Sequence, residues 1–307
     1  MRGRHLLSIA DLSASELEAI LSTAARLKRD GYPHVLAGKT LALLFEKPSL
    51  RTRVSFDVAM QQLGGHTIYL SQSEVGLGQR EPVADVARVL SRYVHGVVAR
   101  TYAHQTLVDL AQHTSVPVIN ALSDQEHPCQ ALADLLTIME CKGGLRGIRV
   151  AFIGDGNNVA ASLAQGGALA GVHLTIASPP GYRLPEEVEI RVEEAASESG
   201  GSFRTTTSPQ EAVEGADVVY TDVWTSMGQE DSYEQRLRAF AAFQVTPELM
   251  ALARPDAIFM HDLPAHRGEE TVDAVIEGRQ SVVFDQAENR LHAQRAVLYL
   301  LLGDGEE

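Results

Sequence analysis

The sequence predicts an α/β protein: two doubly wound, parallel-sheet domains joined by helices. Three observations predict it. The chain has 307 residues, too many for one small core and a fit for two domains of ordinary size. Short apolar runs of strand character alternate with longer stretches of helical spacing, which implies parallel strands covered by helices on both faces. The alternation breaks once, at "KGGLRG" (Lys142–Gly147), and then restarts. These features place one domain at residues 1–142 and a second at 147–286. Residues 287–307 read as a helix returning to the first domain.

Each element has its own warrant. Ser13 followed by Glu16 is a capping box, and the helix behind it runs to about Arg29, before Gly31 and Pro33. "TLALLFE" is a buried strand, and "RVSFDVAMQQLGG" is a helix closed by its glycines. "HTIYL", "GVVART" and "VPVINAL" are strands, and "VADVARVLSRYV" and "LVDLAQHT" are the helices between them. "HPCQALADLLTIMECKGG" is a helix with Pro128 in its first turn. The second series runs "IRVAFIG", a helix from about Asn158, "VHLTIAS", a helix from Glu186 to Ser199, and "ADVVYTD". A helix near Thr246–Leu252, the strand "AIFMHD" and the closing helix "AENRLHAQRAVLYLLLG" complete it. "GQEDSYEQRLRAF" reads as a charged surface loop or helix.

Composition narrows the function. Forty acidic residues against 26 basic ones give a net charge of -14, which argues against a nucleic-acid partner. No apolar stretch approaches the ~20 residues of a membrane span, and the N-terminus does not read as a signal peptide. Cys129 and Cys141 are the only cysteines, so neither a disulfide framework nor a paired-cysteine zinc signature is present. These features together place the protein in the cytoplasm.

Against that acidic background, "FEKPSLRTRVSF" (Phe45–Phe56) concentrates cations and hydroxyls. Pro48 ends a strand, and Ser49 to Arg53 lead into a helix, whose N-terminal N–H groups and dipole converge on one point. Ser49 and Thr52 add hydroxyl donors, and Arg51 adds a fork suited to phosphate oxygens. An ordinary serine cap would use the same residues. Arg100 ends a strand, and His127 and Gln130 sit three apart at a helix start. All three motifs fall at carboxyl ends of strands, where doubly wound sheets bind ligands.

In the second half, "FIGDGNNVAASL" has two glycines of a dinucleotide fingerprint but Val159 in place of the third. The next strand ends without an acidic residue to hold a ribose, so no nicotinamide cofactor is expected. Asn157 and Asn158 lie where an amide meets a polar substrate. Asp222, Ser226 and Met227 follow one strand, and His261 and Asp262 another. The spacing of His261 and His266 fits no standard zinc pattern, so no metal is expected either.

Taken together, the motifs resemble those of the carbamoyltransferase family, and of its ornithine branch. "FEKPSLRTRVSF" resembles the family's Ser-Thr-Arg-Thr-Arg loop, with Leu50 at the second position. "HPCQALADLLT" matches His-Pro-x-Gln, "DVWTSMGQE" carries the Ser-Met-Gly of the ornithine branch, "HDLPAHRGEE" resembles the His-Cys-Leu-Pro loop, and "ENRLHAQRA" the closing helix. The resemblance covers nearly the whole chain. It implies a two-domain α/β fold with the active site between domains, and a homotrimer or multiple of trimers. It implies carbamoyl phosphate and L-ornithine as substrates, L-citrulline and phosphate as products, and no cofactor. Carried over by position, Ser49, Leu50, Arg51 and Thr52 hold the phosphate. Arg100, His127, Gln130, Asp262, Leu263 (through its backbone) and Arg290 complete the carbamoyl phosphate site. Asn158, Asp222, Ser226 and Met227 hold ornithine. Arg51, Thr52, Arg100, His127 and Asp262 are the expected catalytic set.

Two departures stand out. Asp262 replaces the family's cysteine: a carboxylate there favours the charged ammonium and raises the amine's pKa, or instead orients the amine or accepts its proton. Gly76 replaces a frequent glutamine, with Gln79 and Arg80 as the nearest substitutes. The rival readings are a carbamoyltransferase for putrescine or an acylated ornithine, and a non-catalytic binding protein of the same fold.

Overall fold

The computed structural model describes residues 1–226, 228 and 230–303. The chain forms two compact units, Met1–Leu136 with Glu288–Glu307, and Thr137–Ala287. The elements of the first half are α1 (Ala14–Asp30), β1 (Thr40–Phe45), α2 (Leu50–Gln62), β2 (His66–Ser71), α3 (Gln72–Val75), α4 (Val83–Leu90), β3 (Gly96–Arg100), α5 (His104–His113), β4 (Val118–Leu122) and α6 (Pro128–Lys142). Those of the second are β5 (Arg149–Ile153), α7 (Asn158–Leu169), β6 (His173–Ala177), α8 (Glu186–Ser199), β7 (Ser202–Thr206), α9 (Pro209–Val213), β8 (Val218–Thr221), α10 (Tyr233–Phe240), α11 (Pro247–Met250), β9 (Ile258–Met260), α12 (Asp273–Ile276) and α13 (Val283–Leu302).

The first unit is built on a parallel sheet of order β2-β1-β3-β4. Its two inner strands are buried at every position, while edge strand β2 is partly exposed throughout. That contrast explains why "TLALLF" is a continuous apolar run. Ala42, Leu44, Val97 and Ala99 pack with Leu107, Leu110 and Val118 in one core cluster. Helix α1 begins at the capping box, with Glu16 N–H donating to Ser13 Oγ at 3.2 Å and Ser13 N–H to Glu16 Oε2 at 3.0 Å. Its buried residues, Leu17, Ile20, Leu21, Ala24 and Leu27, follow helical spacing, and each leucine contributes about 1.5–3 kcal/mol by burial.

In the second unit the sheet order is β7-β6-β5-β8-β9, again wholly parallel. One face buries α7 and α8 through Ala160, Leu163, Ala164, Val188 and Val192. The other holds an aromatic cluster in which Trp224 stacks on Phe240 at 5.8 Å and Tyr182 meets Phe240 edge-on at 4.8 Å. In each sheet the chain first winds outward and then crosses to the other side of its opening strand. This creates one switch point between β1 and β3 and another between β5 and β8.

The structure departs from the sequence expectations in four places. Strand β7 was not expected, because "SFRTT" carries one large apolar residue on a partly exposed edge. The charged stretch before Phe240 forms the expected surface helix, α10, but turns Arg236 and Phe240 inward. Helix α13 begins at Val283, four residues before the expected start. The division between units falls inside α6 at Leu136/Thr137, not at Lys142–Gly147, since Ile138 packs with Val150 and Phe152. Among the described residues, no helix is long and apolar enough to cross a membrane.

Candidate active site

In the first unit, four segments meet at the carboxyl ends of the strands. Ser49, in extended conformation, caps α2, accepting from Thr52 N–H at 3.3 Å and donating to Thr52 Oγ1 at 3.0 Å. Arg290 of α13 ties two of these segments together. Its Nη1 donates to Gln130 Oε1 at 2.6 Å, and its Nη2 to Thr52 Oγ1 at 2.8 Å. Gln130 in turn donates to Asp134 Oδ1 at 2.8 Å, so both ends of its amide are fixed. Thr52, Gln130, His127, Arg100 and Arg290 are all buried, Arg51 is half-buried, and Leu50 stands out into solvent, 77% exposed.

His127 is surrounded by cations. Its burial, then the charges of Arg290, Arg100 and Arg51, hold its pKa well below the ordinary histidine value. It therefore serves as a neutral hydrogen-bonding imidazole beside three guanidinium groups. Such a set, with a helix N-terminus, fits a small dianion and an adjoining carbonyl. Neighbouring Cys129 is no nucleophile: burial pushes its thiol up to about 12, and Sγ donates to Asn120 O at 3.5 Å.

The second unit gathers residues around its own switch point. Asn157 caps α7, accepting from Val159 and Ala160 N–H at 3.0 Å, while its Nδ2 donates to Asp222 Oδ2 at 2.7 Å. The other oxygen of Asp222 accepts from Val223 N–H at 2.6 Å. Carboxylate oxygens of Asp222 and Asp262 and a ring nitrogen of His261 all lie within 4.8 Å of one another. His261 holds the loop through both ring nitrogens. Leu263 N–H donates to Nδ1 at 2.9 Å, so the ring proton is on Nε2, which faces Glu270 Oε1 at 3.1 Å. Leu263 sits at φ +58, a left-handed conformation that costs a branched residue roughly 1–2 kcal/mol. The His261 bond helps keep it there. Gly156 is required by close approach: a Cβ there would fall 2.3 Å from Leu184 N.

Residues 4–140 match the family description "Aspartate/ornithine carbamoyltransferase, carbamoyl-P binding domain", and residues 146–301 match "Aspartate/ornithine carbamoyltransferase, Asp/Orn binding domain". The chain is 54% identical over 307 residues to an ornithine carbamoyltransferase of Pyrococcus abyssi, covering 99% of this chain and 97% of that one. It is 55% identical over 301 residues to one of Acidothermus cellulolyticus, covering 97% and 96%. The solved ornithine carbamoyltransferase of Pyrococcus furiosus superposes with a TM-score of 0.96 at 52% identity, covering 99% of each chain. The chain belongs to the aspartate/ornithine carbamoyltransferase family.

Within this carbamoyltransferase, the expected residues fall into two groups. Ser49, Leu50, Arg51, Thr52, Arg100, His127, Gln130 and Arg290 lie in the first unit, and Asn158, Asp222, Ser226, Asp262 and Leu263 in the second. Met227 lies outside the described residues. Ser226 and Asn158 are half-buried, and Asn157, not Asn158, makes the contact to Asp222. Gly76 is the left-handed C-cap of α3 at φ +63, where a Cβ would lie 2.7 Å from Arg80 Cβ. This backbone geometry disfavours glutamine there.

Sequence reading missed three supporting groups. Arg236 donates to Asp155 Oδ2 and to Trp224 O, both at 2.8 Å, under the Asp222 loop. Burial raises the Asp155 pKa while Arg236 pulls it down. Glu270 holds His261, and Gln286 accepts from His261 N–H at 2.9 Å. Glu270 was within reach of sequence reasoning, as a second acid in "HRGEE" with no role assigned. Arg236 gave no signal, being one of two arginines in a charged run.

Proposed function

We propose that this carbamoyltransferase moves the carbamoyl group of carbamoyl phosphate to the δ-amine of L-ornithine, giving L-citrulline and phosphate. The first unit takes carbamoyl phosphate and the second takes ornithine. The observation that carries this reading is the Thr52–Arg290–Gln130 bridge beside a neutral, arginine-ringed His127. Ser49, Arg51, Thr52 and the α2 N-terminus bind the phosphate, with Leu50 contributing backbone. Arg100, His127, Gln130 and Arg290 hold the carbamoyl end, completed by Leu263 through its backbone. Asp222, Asn158, Ser226 and Met227 hold the α-amino and α-carboxylate groups, with Asp262 near the δ-amine.

The neutral amine attacks the carbamoyl carbon, and the carbon–oxygen bond to phosphate then breaks. The proton lost by the amine ends on the phosphate product. Charge that develops on the carbamoyl oxygen is stabilised by fixed donors from Thr52, Arg100 and His127. Arg51 and the helix N-terminus stabilise the departing phosphate.

The chain works as a homotrimer or a multiple of trimers. Leu50, Val54 and Ile68, on α2 and edge strand β2, are 77%, 50% and 47% exposed, which supports a subunit contact there. The cytoplasm is its compartment, where the free thiols of Cys129 and Cys141 stay reduced.

The test is product formation from carbamoyl phosphate with ornithine, putrescine, N-acetylornithine and aspartate in parallel. Turnover of ornithine alone is expected. Turnover of another amine alone would move the specificity, and no turnover at all would leave a binding protein.

A further inference from the structure

We propose that His266, Glu269 and Glu270, in the loop after β9, form a site for a divalent metal ion of borderline hardness such as Zn²⁺. None of the three is among the residues assigned to the substrates, although Glu270 also braces His261. One ligand atom of each residue, the imidazole nitrogen and a carboxylate oxygen from each acid, lies within 4.8 Å of the others. His266 Nδ1 and Glu269 Oε2 are 3.5 Å apart. Two ligands of one tetrahedral zinc, at bonds of ~2.0–2.1 Å, stand about 3.3–3.4 Å apart. The turn that makes Glu269 N–H donate to His266 O at 2.9 Å brings the two side chains together.

An independent observation points to a cation. Glu270 is fully buried. Its Oε1 accepts from His261 Nε2 at 3.1 Å and from His266 N–H at 2.6 Å, but its Oε2 has no hydrogen-bond partner. Glu269 repeats the pattern. Its Oε1 accepts from Tyr233 Oη at 2.6 Å, and its buried Oε2 has no hydrogen-bond partner. Glu270 thus keeps one buried oxygen unpaired within the cluster, and Glu269 Oε2 faces His266 Nδ1 at 3.5 Å without a hydrogen bond. Leaving a buried acceptor unpaired costs ~1–3 kcal/mol, more for a charged one. A cation shared by the two carboxylates and the imidazole removes both deficits.

The donor set selects the ion. One nitrogen and two carboxylate oxygens suit Zn²⁺, whereas Ca²⁺ takes six to eight oxygens. Tyr233 and His261, on the second oxygen of each acid, act as the outer partners that orient metal-bound carboxylates. The neighbouring cluster of Asp222, His261 and Asp262 is not equivalent, because both ring nitrogens of His261 are in use.

The test is calorimetric titration of EDTA-treated, full-length protein with zinc chloride near neutral pH, then with calcium chloride. One Zn²⁺ per chain is expected, with much weaker Ca²⁺ binding. His266→Gln and Glu269→Gln should each weaken Zn²⁺ at least tenfold, while Asp262→Asn leaves it unchanged. Both glutamine substitutions are at partly exposed positions, and circular dichroism melts check that the variants fold. Added Zn²⁺ should raise the melting temperature of the native chain but not of Glu269→Gln. The proposal fails if the native chain takes up no stoichiometric Zn²⁺. It fails equally if both glutamine variants bind as the native chain does, or if Asp262→Asn abolishes uptake.

Discussion

His261 Nε2 lies 3.1 Å from Glu270 Oε1, and neither side chain reaches solvent. The pair fixes more than itself. With its proton committed to Glu270, the imidazole offers Nδ1 to Leu263 N–H, so a buried carboxylate sets the backbone beside Asp262.

Replacing Glu270 should therefore be costly in a specific way. Glu270→Ala strips the acceptor from His261 Nε2–H and from the N–H of His266. Each buried donor left unpaired costs ~1–3 kcal/mol, so a loss of about 2–6 kcal/mol is expected in urea unfolding. Glu270→Gln keeps one acceptor oxygen and should recover most of that loss. Equal destabilisation by the two substitutions would remove the hydrogen-bonding role.

Arg290 makes a two-pronged contact that lysine cannot copy. Its guanidinium reaches Thr52 and Gln130 at once, while an ammonium on a flexible stem holds one of them. Arg290→Lys should lower kcat/KM for carbamoyl phosphate by ~10²-fold, the scale of losing one preorganised donor. The KM for ornithine should change little. Steady-state kinetics with each substrate varied in turn separates the two effects.

His127 makes the fold sensitive to acid. Its pKa is lowered by burial and by Arg290, Arg100 and Arg51, so the unfolded chain takes up this proton more readily than the folded one. Its contribution to stability is full above the unfolded value near 6.5 and is lost as pH falls below it. His127→Gln has no such proton. Its urea midpoint should fall less than that of the native chain between neutral and mildly acidic pH. Parallel midpoints would mean that His127 carries none of this dependence.

Much of the architecture was legible because its signals are local. The run "TLALLF" is apolar at every position, since β1 is inside a sheet covered on both faces. Ser13 and Glu16 carry their cap in the sequence itself. Strand β7 gave no such signal, because an edge strand needs few apolar residues. The part of the candidate site around α2 was readable for a related reason: Ser49 to Thr52 are consecutive at one helix start. What escaped was contact between distant residues. Arg236 meets Asp155 across 81 positions, and no periodicity announces that pair. Gly76 read as a lost glutamine, yet its positive φ and the nearby Arg80 make it a turn residue.

The proposed place of Asp262 beside the δ-amine should make the reaction sensitive to pH. A carboxylate beside the δ-amine stabilises the ammonium form and raises the amine's pKa, while attack needs the neutral form. Asp222 lies within the same 4.8 Å cluster and adds to the negative field. The activity profile should therefore rise toward alkaline pH, following deprotonation of bound ornithine. In Asp262→Asn the carboxylate charge is gone and the shape is kept. The rising limb of kcat should move to lower pH if Asp262 acts through charge alone. If Asp262 also accepts the proton, kcat on the alkaline plateau should fall by roughly 10²–10⁴-fold, the range of general-base catalysis. A pH series of kcat for the two proteins distinguishes these outcomes. A profile unchanged in both position and height would remove Asp262 from the chemistry.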